Sequence, residues 1–397
     1  MVQSYPYEAS RNGDAAYIAA IRRFLISRGH EVVGIVSDLT RGRTSPVYRS
    51  AYDLSRMKEW KVQGAFRLGD MFISSSPGQW LKILRKPLSL PPVQEKKRAD
   101  WTKSEADWVA KIFSRIRPDC AILLFDACGF SSVLNPRVSR LIALPCYLRH
   151  RSVVLGESNQ IDGDRNPVAT AEELSWLKAA PCVGFHSADD VQFAKSRGIG
   201  CAIRVGIGVA GAPRSTVSTG QHEPIVLLVA ANSPQNVASL RWFLHEVWPQ
   251  INDARPDARL RLVGPFAGTI DLKSFRGVDC IGYVSDVSAL DAEYDRAQVA
   301  IAPLTIGSRG VKVKVAEALS YGCPLVTTSL GIDAGHPEQF AGAVDVADTP
   351  VEFAEAVLRL LREPDIRRQR ATRALEAFKE NFSFEAAFGE LVNYLGL

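Results

Sequence analysis

No part of the sequence offers the ~18 consecutive apolar residues that a membrane-spanning helix needs, and the mean hydropathy is only −0.03. The chain starts with polar Gln3 and Ser4 close behind Met1, without the charged and then apolar stretch of a signal peptide. Low-complexity repeats are lacking too, and 46% apolar with 23% charged residues is typical of a globular protein. We therefore expect a cytoplasmic protein, either free or peripheral on the cytosolic face of the inner membrane.

The cysteines are few and form no recognisable pattern. None belongs to a CxxC pair or to a Cys/His spacing suited to zinc, and most lie in or beside apolar runs. We expect buried free thiols and no structural metal site. The seven are Cys120, Cys128, Cys146, Cys182, Cys201, Cys280 and Cys323.

Three common catalytic motifs are missing or incomplete. GxGxxG occurs at 206–211, in the Gly-rich segment that ends the first half, but no acidic residue stands about 20 positions beyond it, which argues against a Rossmann dehydrogenase. GxxxxGK[ST] is absent, which argues against a P-loop NTPase, and the GxSxG of an α/β-hydrolase is absent too.

Charge is divided unevenly along the chain. Residues 1–205 carry ten more basic than acidic residues, whereas 206–397 carry five more acidic than basic ones. A basic half of this kind attracts anionic lipid headgroups, phosphorylated acceptors or nucleic acid, or is simply a solvated surface. Nucleic acid is the weakest of these, because the basic residues are dispersed and no motif interleaves them with stacking aromatics.

Short apolar runs alternate with amphipathic stretches along most of the chain. Examples are the runs 225–230, 260–264 and 298–302, with helices predicted over 237–251 and 286–297. Continuous apolar runs separated by helices indicate parallel sheets that are covered on both faces. The sequence thus predicts an α/β protein with doubly wound domains.

Two such domains are expected. The boundary falls in the Gly-, Ser- and Thr-rich segment 205–223, which is typical of a hinge and separates domains 1–205 and 206–382. The last residues, 383–397, have apolar side chains at helical spacing, so this helix must dock on something. We expect it to pack back on the N-terminal domain.

Residues 79–88 mix tryptophan and leucine with cations. Lys82, Arg85 and Lys86 alternate there with apolar side chains. The mixture suits a segment lying at a membrane interface, and it equally suits a short helix packed on its own domain.

One stretch carries most of the chemistry. An apolar run ends near Pro303, a loop with Gly307 and Gly310 follows, and a helix then opens with Lys312 and Lys314. Free backbone N–H groups and the positive dipole end of a helix bind anions, and glycines allow a phosphate to approach closely. The pattern indicates a phosphate site.

Glu317 lies about one turn beyond Lys314 on the same side of this helix. A carboxylate so near a phosphate site is badly placed for phosphate but well placed to accept hydrogen bonds from ribose hydroxyls. The arrangement fits a nucleoside diphosphate at the carboxyl edge of a parallel sheet. Spacing alone fits an ordinary surface pair of Lys314 with Glu317 equally well.

The run PLTIGSRGVKVKVAEALSYGCPLVTT at 303–328 resembles the donor-site signature of GT-B glycosyltransferases, specifically the retaining GT4 group, or glycosyl transferases group 1. Residues 225–249 resemble the first strand, Asn-bearing loop and helix of that group's C-terminal domain. Residues 259–265 and 280–287 resemble its second and third strands, and RGHEV at 28–32 resembles an early strand entry of its N-terminal domain. The resemblance implies two Rossmann-like domains that face each other across a cleft.

The same resemblance implies the residues that hold the donor. Glu317 would bind the nucleotide ribose, and Lys314 with the backbone of Gly310 and Val311 would bind the diphosphate. Lys312 would add charge beside it.

It also implies residues around the base and the sugar. Gly282 and Val284 would border the base, and Gly13 and Asp14 would lie at the cleft near the sugar and acceptor. His150 stands where the group often has a histidine that faces the donor sugar, although it also fits a structural histidine.

Arg309 departs from the group's pattern. Many members carry a first glutamate eight residues before the ribose glutamate, and here that position is Arg309. Subgroups with a Gly/Ser-rich loop and paired basic residues lack it too. The departure leaves open whether Arg309 contacts phosphate or faces solvent.

The resemblance thus predicts a glycosyltransferase that moves a sugar from a nucleotide-diphospho donor, with UDP- or GDP-sugars expected. The acceptor would be a glycan, a lipid-linked sugar or a small molecule, and the transfer would proceed with retention. No cofactor and no metal is expected, because no DxD carboxylate pair stands beside the phosphate site. A sugar-nucleotide epimerase of the same fold and a non-catalytic nucleotide-binding scaffold are the alternatives.

Overall fold

Two parallel β-sheets organise the molecule. One is built from the N-terminal half of the chain and the other from strands between residues 225 and 346. The computed structural model describes residues 1–3, 13–36, 47–49, 60–62, 65–68, 71–75, 80, 103–146, 167–209, 223–284, 287–306, 312–332, 337–340 and 342–397.

The N-terminal sheet has seven described strands, all parallel, in the order β10-β9-β8-β7-β1-β2-β4. Strands β3, β5 and β6 form a separate antiparallel sheet. The strands of this half are β1 (Val2–Gln3), β2 (Gly34–Val36), β3 (Val47–Arg49), β4 (Trp60–Val62), β5 (Ala65–Leu68), β6 (Met71–Ser74), β7 (Cys120–Leu124), β8 (Arg140–Cys146), β9 (Cys182–Phe185) and β10 (Ala202–Arg204).

Strand β7 shows why the apolar runs become strands buried on both faces. Leu123 packs into one hydrophobic layer of the N-terminal half, whereas Ile122 and Leu124 point into the opposite layer. Helices supply both layers: α1 (Gly13–Ser27), α2 (Lys103–Ile116), α3 (Ser131–Leu134), α4 (Pro167–Lys178) and α5 (Ala188–Ser196), with 3₁₀ turns at Phe125–Phe130 and Asn135–Arg137.

The C-terminal sheet has six described strands, again all parallel, in the order β13-β12-β11-β14-β15-β16. They are β11 (Ile225–Val229), β12 (Arg259–Val263), β13 (Val278–Gly282), β14 (Val299–Ala302), β15 (Leu325–Thr327) and β16 (Val344–Val346). The order reverses between β11 and β14, and such a switch point opens a crevice at the carboxyl ends of the strands.

Helices cover both faces of this sheet as well. They are α6 (Pro234–Trp242), α7 (Trp248–Ala254), α8 (Val287–Arg296), α9 (Val313–Ser320), α10 (Pro350–Arg362) and α11 (Pro364–Asn381). A last helix, α12 (Phe384–Leu395), follows them in the chain. A π-helical turn, Phe243–Val247, joins α6 to α7, and 3₁₀ turns lie at Leu272–Ser274, Ser329–Gly331 and Pro337–Phe340. The doubly wound α/β architecture predicted from the apolar runs is confirmed.

The last helix, α12, packs on the N-terminal sheet. Phe388 and Leu391 are buried in the same hydrophobic cluster as Ile18 of α1, and the Tyr394 hydroxyl donates to the Leu141 carbonyl of β8 at 3.0 Å. The chain leaving the N-terminal sheet runs along this helix so closely that a Cβ at Gly208 would come within 2.6 Å of the Phe388 ring.

One expectation about the cysteines is wrong. Cys182 and Cys201 are joined by a disulfide, with their Cα atoms 4.6 Å apart, because the neighbouring strands β9 and β10 bring them side by side. Cys128 and Cys323 are free and buried, as expected, whereas the free cysteines Cys120 and Cys280 are half-buried and exposed.

No helix in the described ranges has the length and hydropathy needed to cross a membrane. Of the segment 79–88, only Trp80 is described, and its side chain is 42% exposed. Lys82, Arg85 and Lys86 lie outside the described residues.

Candidate functional site

Two helices begin at the crevice between β11 and β14. Helix α6 follows β11, and its first turn contains Asn236; helix α9 follows β14, and its first turn contains Lys314. The two turns meet, since Lys314 Nζ donates a hydrogen bond of 2.6 Å to Asn236 Oδ1. This contact joins residues 78 positions apart at the carboxyl edge of the sheet.

The amide of Asn236 is itself held in place. Its Nδ2 donates to the Ala231 carbonyl at 2.8 Å, which leaves Oδ1 for Lys314. Its backbone N–H donates to the Ser233 side chain at 3.3 Å, and Ser233 is the N-cap of α6.

Lys312 and Lys314 make the start of α9 strongly electropositive. Lys312 is the N-cap residue, with an extended backbone and without a side-chain hydrogen bond to the helix start. Burial first, and then the charge of Lys312, lower the pKa of Lys314 from 10.5 to about 8. The positive end of the helix dipole adds to the two ammonium groups, and this arrangement is chemically suited to an anion.

Glu317 lies one turn further along α9 and does not pair with Lys314. Its Oε1 accepts a hydrogen bond of 2.9 Å from the Tyr294 hydroxyl of α8. Burial raises the pKa of Glu317, and the Tyr294 hydrogen bond partly opposes this rise. The surface-pair alternative is therefore wrong, because both side chains are partly buried and bonded to neutral groups.

Tyr294, the residue that bonds to Glu317, belongs to an aromatic stack. The Tyr294 and Tyr321 rings are 4.1 Å apart and nearly parallel, at 8°. The Tyr321 hydroxyl donates to Asp291 Oδ1 at 2.6 Å. Burial and the nearby Glu317 carboxylate raise the pKa of Tyr294 well above its usual range. The hydroxyl therefore keeps its proton at physiological pH and donates a hydrogen bond to Glu317.

The proposed base-binding residues end β13. Gly282 has φ of +81°, and a Cβ there would meet open space; its carbonyl accepts from the Gly264 N–H at 2.8 Å. Val284 is half-buried against the cluster that contains Leu319 of α9. The segment just after β13 thus packs against the same cluster as α9, the helix that carries Glu317.

The other predicted residues fall into two groups. Gly13 and Asp14 form the first turn of α1, a helix that lies against α9. His150, Arg309, Gly310 and Val311 lie outside the described residues.

His186 was not among the predicted site residues, although it directly follows β9 and so lies at the carboxyl edge of the N-terminal sheet. Its Nδ1 is 3.1 Å from the Val205 carbonyl, an acceptor, so Nδ1 carries the proton. Its ring meets Tyr17 edge-on at 4.4 Å. Burial, with smaller effects from Lys312 and Arg204, lowers the pKa of His186 to about 4.

The N-terminal half reaches α9 through α1, which contacts that helix. The signal that could have found His186 is its position directly after the apolar run 182–185. Asn236 and Tyr294 were also missed, because their partners are distant in sequence. In the described ranges no cluster of three or more His, Cys, Asp or Glu residues is arranged to hold a metal ion.

Comparison with known proteins agrees with this architecture. Residues 223–363 match the family model described as glycosyl transferases group 1. An uncharacterized 44.6 kDa protein of the cps region of Klebsiella pneumoniae is 25% identical over 169 residues, which cover 40% of this chain and 42% of that protein. The alignment therefore spans less than half of the curated relative.

Solved structures match over longer stretches. Sucrose-phosphate synthase from Thermosynechococcus elongatus superposes with a TM-score of 0.66 at 16% identity, covering 97% of this chain and 94% of that one. A variant of S. aureus TarM, solved with fondaparinux, alpha-GlcNAc-glycerol and UDP, gives 0.56 at 12% identity, covering 74% of this chain and 59% of that chain.

The chain therefore has the GT-B fold, with two Rossmann-like domains. The stretch that matches the glycosyl transferases group 1 model, residues 223–363, contains Asn236, Tyr294, Lys314 and Glu317.

Proposed function

We propose that this protein is a glycosyltransferase that moves a sugar from a nucleotide-diphospho donor to an acceptor, with retention and without a metal ion. The observation that carries the proposal is the pairing of an electropositive helix start, Lys312 and Lys314, with the buried carboxyl of Glu317 one turn away. A nucleoside diphosphate has phosphates that suit the two lysines and ribose hydroxyls that suit the Glu317 carboxyl.

In the proposed donor complex, Lys314, Lys312 and the N–H groups at the start of α9 bind the diphosphate. Glu317 accepts hydrogen bonds from the ribose with the oxygen that Tyr294 leaves available, Oε2. The base lies along the edge of β13 near Gly282 and Val284. Arg309, Gly310 and Val311 complete the phosphate loop in this proposal.

The reaction requires stabilisation of a leaving group. The bond between the anomeric carbon and the diphosphate oxygen breaks, and its electron pair stays on the diphosphate, where Lys312, Lys314 and the helix N–H groups stabilise the added charge. The acceptor oxygen forms the new bond to the anomeric carbon on the same face, and its proton passes to the departing phosphate. Cationic side chains provide the neutralisation that a divalent metal gives in other enzymes.

The N-terminal domain supplies the acceptor side of the cleft. We place Asp14, at the start of α1, and His150 near the sugar and acceptor. Its excess of basic residues suits an anionic or lipid-linked acceptor, which would bring the protein to the cytosolic face of a membrane. Closure of the two domains would exclude water and protect the donor from hydrolysis.

Calorimetry with UDP, GDP, ADP and CMP, with and without magnesium, tests the donor site. We expect one diphosphate to bind selectively and independently of metal, and Glu317→Ala to weaken it by about 10- to 100-fold. The matched control is Glu355→Ala, an exposed glutamate on α10. Failure of all four nucleotides to bind would remove the glycosyltransferase proposal and favour a scaffold.

The same preparation separates a transferase from an epimerase. A transferase consumes the sugar nucleotide that matches the selected base only when an acceptor is present. Conversion of that sugar nucleotide to its epimer without an acceptor would contradict the proposed reaction while leaving the donor site intact.

A further inference from the structure

Lys314 is held by a neutral group, unlike two partly buried arginines of the same domain, Arg261 and Arg370. The Arg261 guanidinium donates to the Glu293 carboxylate at 2.6 Å, and Arg370 donates to Asp345 at 2.8 Å. Those pairs cancel their own charge. Lys314 instead bonds to an amide oxygen, which orients the ammonium group, and no described side chain compensates its charge.

We propose that Asn236 is a positioning residue that directs the Lys314 ammonium onto the donor diphosphate and, because it is neutral, keeps that ammonium's charge available for the phosphates. The inference rests on the proposed function and goes beyond it by assigning the position on α6 that controls the charge of the site.

The geometry explains why an amide suits this position. Ala231 accepts the Nδ2 proton of Asn236, so the side chain presents Oδ1 and not Nδ2 to Lys314. A flipped amide would direct an N–H at the ammonium and repel it. Asn236 therefore needs both its carbonyl and its amide nitrogen.

The charged groups around the pair leave Lys314 without compensation from the described side chains. Lys312 on the same helix is repulsive, and Glu317 is bonded to Tyr294. His186 from the N-terminal sheet is neutral at pH 7. Asp14 belongs to α1, which lies against α9, and its side chain is outside the described set.

Substitution of Asn236 by aspartate tests the inference, since it preserves shape and adds one negative charge. We expect Asn236→Asp to weaken the selected diphosphate by about 10- to 100-fold at pH 7, because the new carboxylate neutralises Lys314 and repels phosphate. Asn236→Ala removes the hydrogen bond to Lys314 without adding a charge, so it should lose less diphosphate affinity than Asn236→Asp. Asn135→Asp, at an exposed position, makes the same charge change as a control.

The pH profile provides the readout that a purely structural asparagine would not move. Diphosphate affinity of the native protein should fall above about pH 8 as Lys314 loses its proton, and in Asn236→Asp this limb should move to higher pH. The inference would be overturned if Asn236→Asp bound the diphosphate with native affinity and lost that affinity over the same alkaline pH range as the native protein.

The free protein separates this failure from that of the proposed function. Pairing with aspartate would abolish the gain in unfolding free energy that deprotonation of Lys314 gives at alkaline pH. Suppose that Asn236→Asp abolishes the alkaline rise in unfolding free energy but the native protein binds no diphosphate. The contact between residues 236 and 314 then exists, and it is the proposed function that has failed. The role of Asn236 in directing Lys314 onto the diphosphate is removed with it.

Discussion

Lys314 should lower the stability of the free protein while it supports binding. A pKa lowered from 10.5 to about 8 means that folding disfavours the charged form by about 3 kcal/mol, at about 1.4 kcal/mol for each tenfold change. This figure is an upper bound, because the side chain keeps partial contact with water.

Lys314→Met removes the buried charge but also the hydrogen bond to Asn236. Leaving that oxygen unpaired costs about 1–2 kcal/mol. At pH 7 we therefore expect the unfolding free energy of the variant to be about 1–2 kcal/mol higher than that of the native protein. Diphosphate affinity should nevertheless fall by about 10- to 100-fold, because a charge-assisted contact is lost.

The sign of the pH dependence follows from the two states. Between about pH 8 and 10.5 the unfolded chain keeps the Lys314 proton and the folded protein does not, so the native unfolding free energy rises with pH. Lys314→Met lacks this gain. Its advantage over the native protein should shrink by about 2 kcal/mol from pH 8 to 9.5.

Denaturant unfolding at pH 7, 8 and 9.5, followed by calorimetry with the selected diphosphate, measures both effects. Lys273→Met, at an exposed position after β12, is the matched control and should change neither. A destabilised Lys314→Met that still binds diphosphate would show that Lys314 is a structural residue, and the reasoning would be refuted.

Two further predictions concern the N-terminal half. Because burial lowers the pKa of His186 to about 4, the folded protein binds fewer protons than the unfolded chain between about pH 6.5 and 4, so its stability falls as pH falls through this window; His186→Gln should flatten that slope in denaturant titrations, and an unchanged slope would contradict it. If residues 79–88 recruit the protein to anionic membranes, exchanging Lys82, Arg85 and Lys86 for glutamine should reduce sedimentation with anionic liposomes at low salt, and equal sedimentation with neutral and anionic liposomes would count against recruitment.

The fold was largely predictable, because most of its strands are continuous apolar runs. Strands such as β7 and β11 are buried on both faces, and that environment leaves a clear pattern in sequence. β1 was not predictable, since two residues, Val2 and Gln3, carry no periodicity. Its position depends on tertiary pairing with Leu123 on one side and Ile35 on the other.

The disulfide between Cys182 and Cys201 could not be predicted from the sequence either. Cys182 and Cys201 are 19 positions apart, a spacing that matches no motif. They meet because β9 and β10 are parallel neighbours joined through α5, so the Val183 and Ala202 Cα atoms are paired in register. Strand order decides such a contact, and apolar runs do not encode strand order.

The candidate site was half predictable for a similar reason. Lys314 and Glu317 lie on one short helix after a glycine-containing loop, so local spacing places them together. Asn236 and Tyr294 reach them from α6 and α8, across 78 and 23 positions. Only the fold brings these partners to the pair.

Those partners argue against the surface pair, one of the two interpretations that spacing left open. Opposite charges at i and i+3 on a helix stabilise it when they pair, yet Lys314 bonds to an amide at 2.6 Å and Glu317 to a phenol at 2.9 Å. Keeping a buried cation and a buried carboxyl apart lowers the stability of the free protein. A ligand that carries both phosphates and hydroxyl groups satisfies the two together, which supports the proposal that a nucleoside diphosphate binds across them.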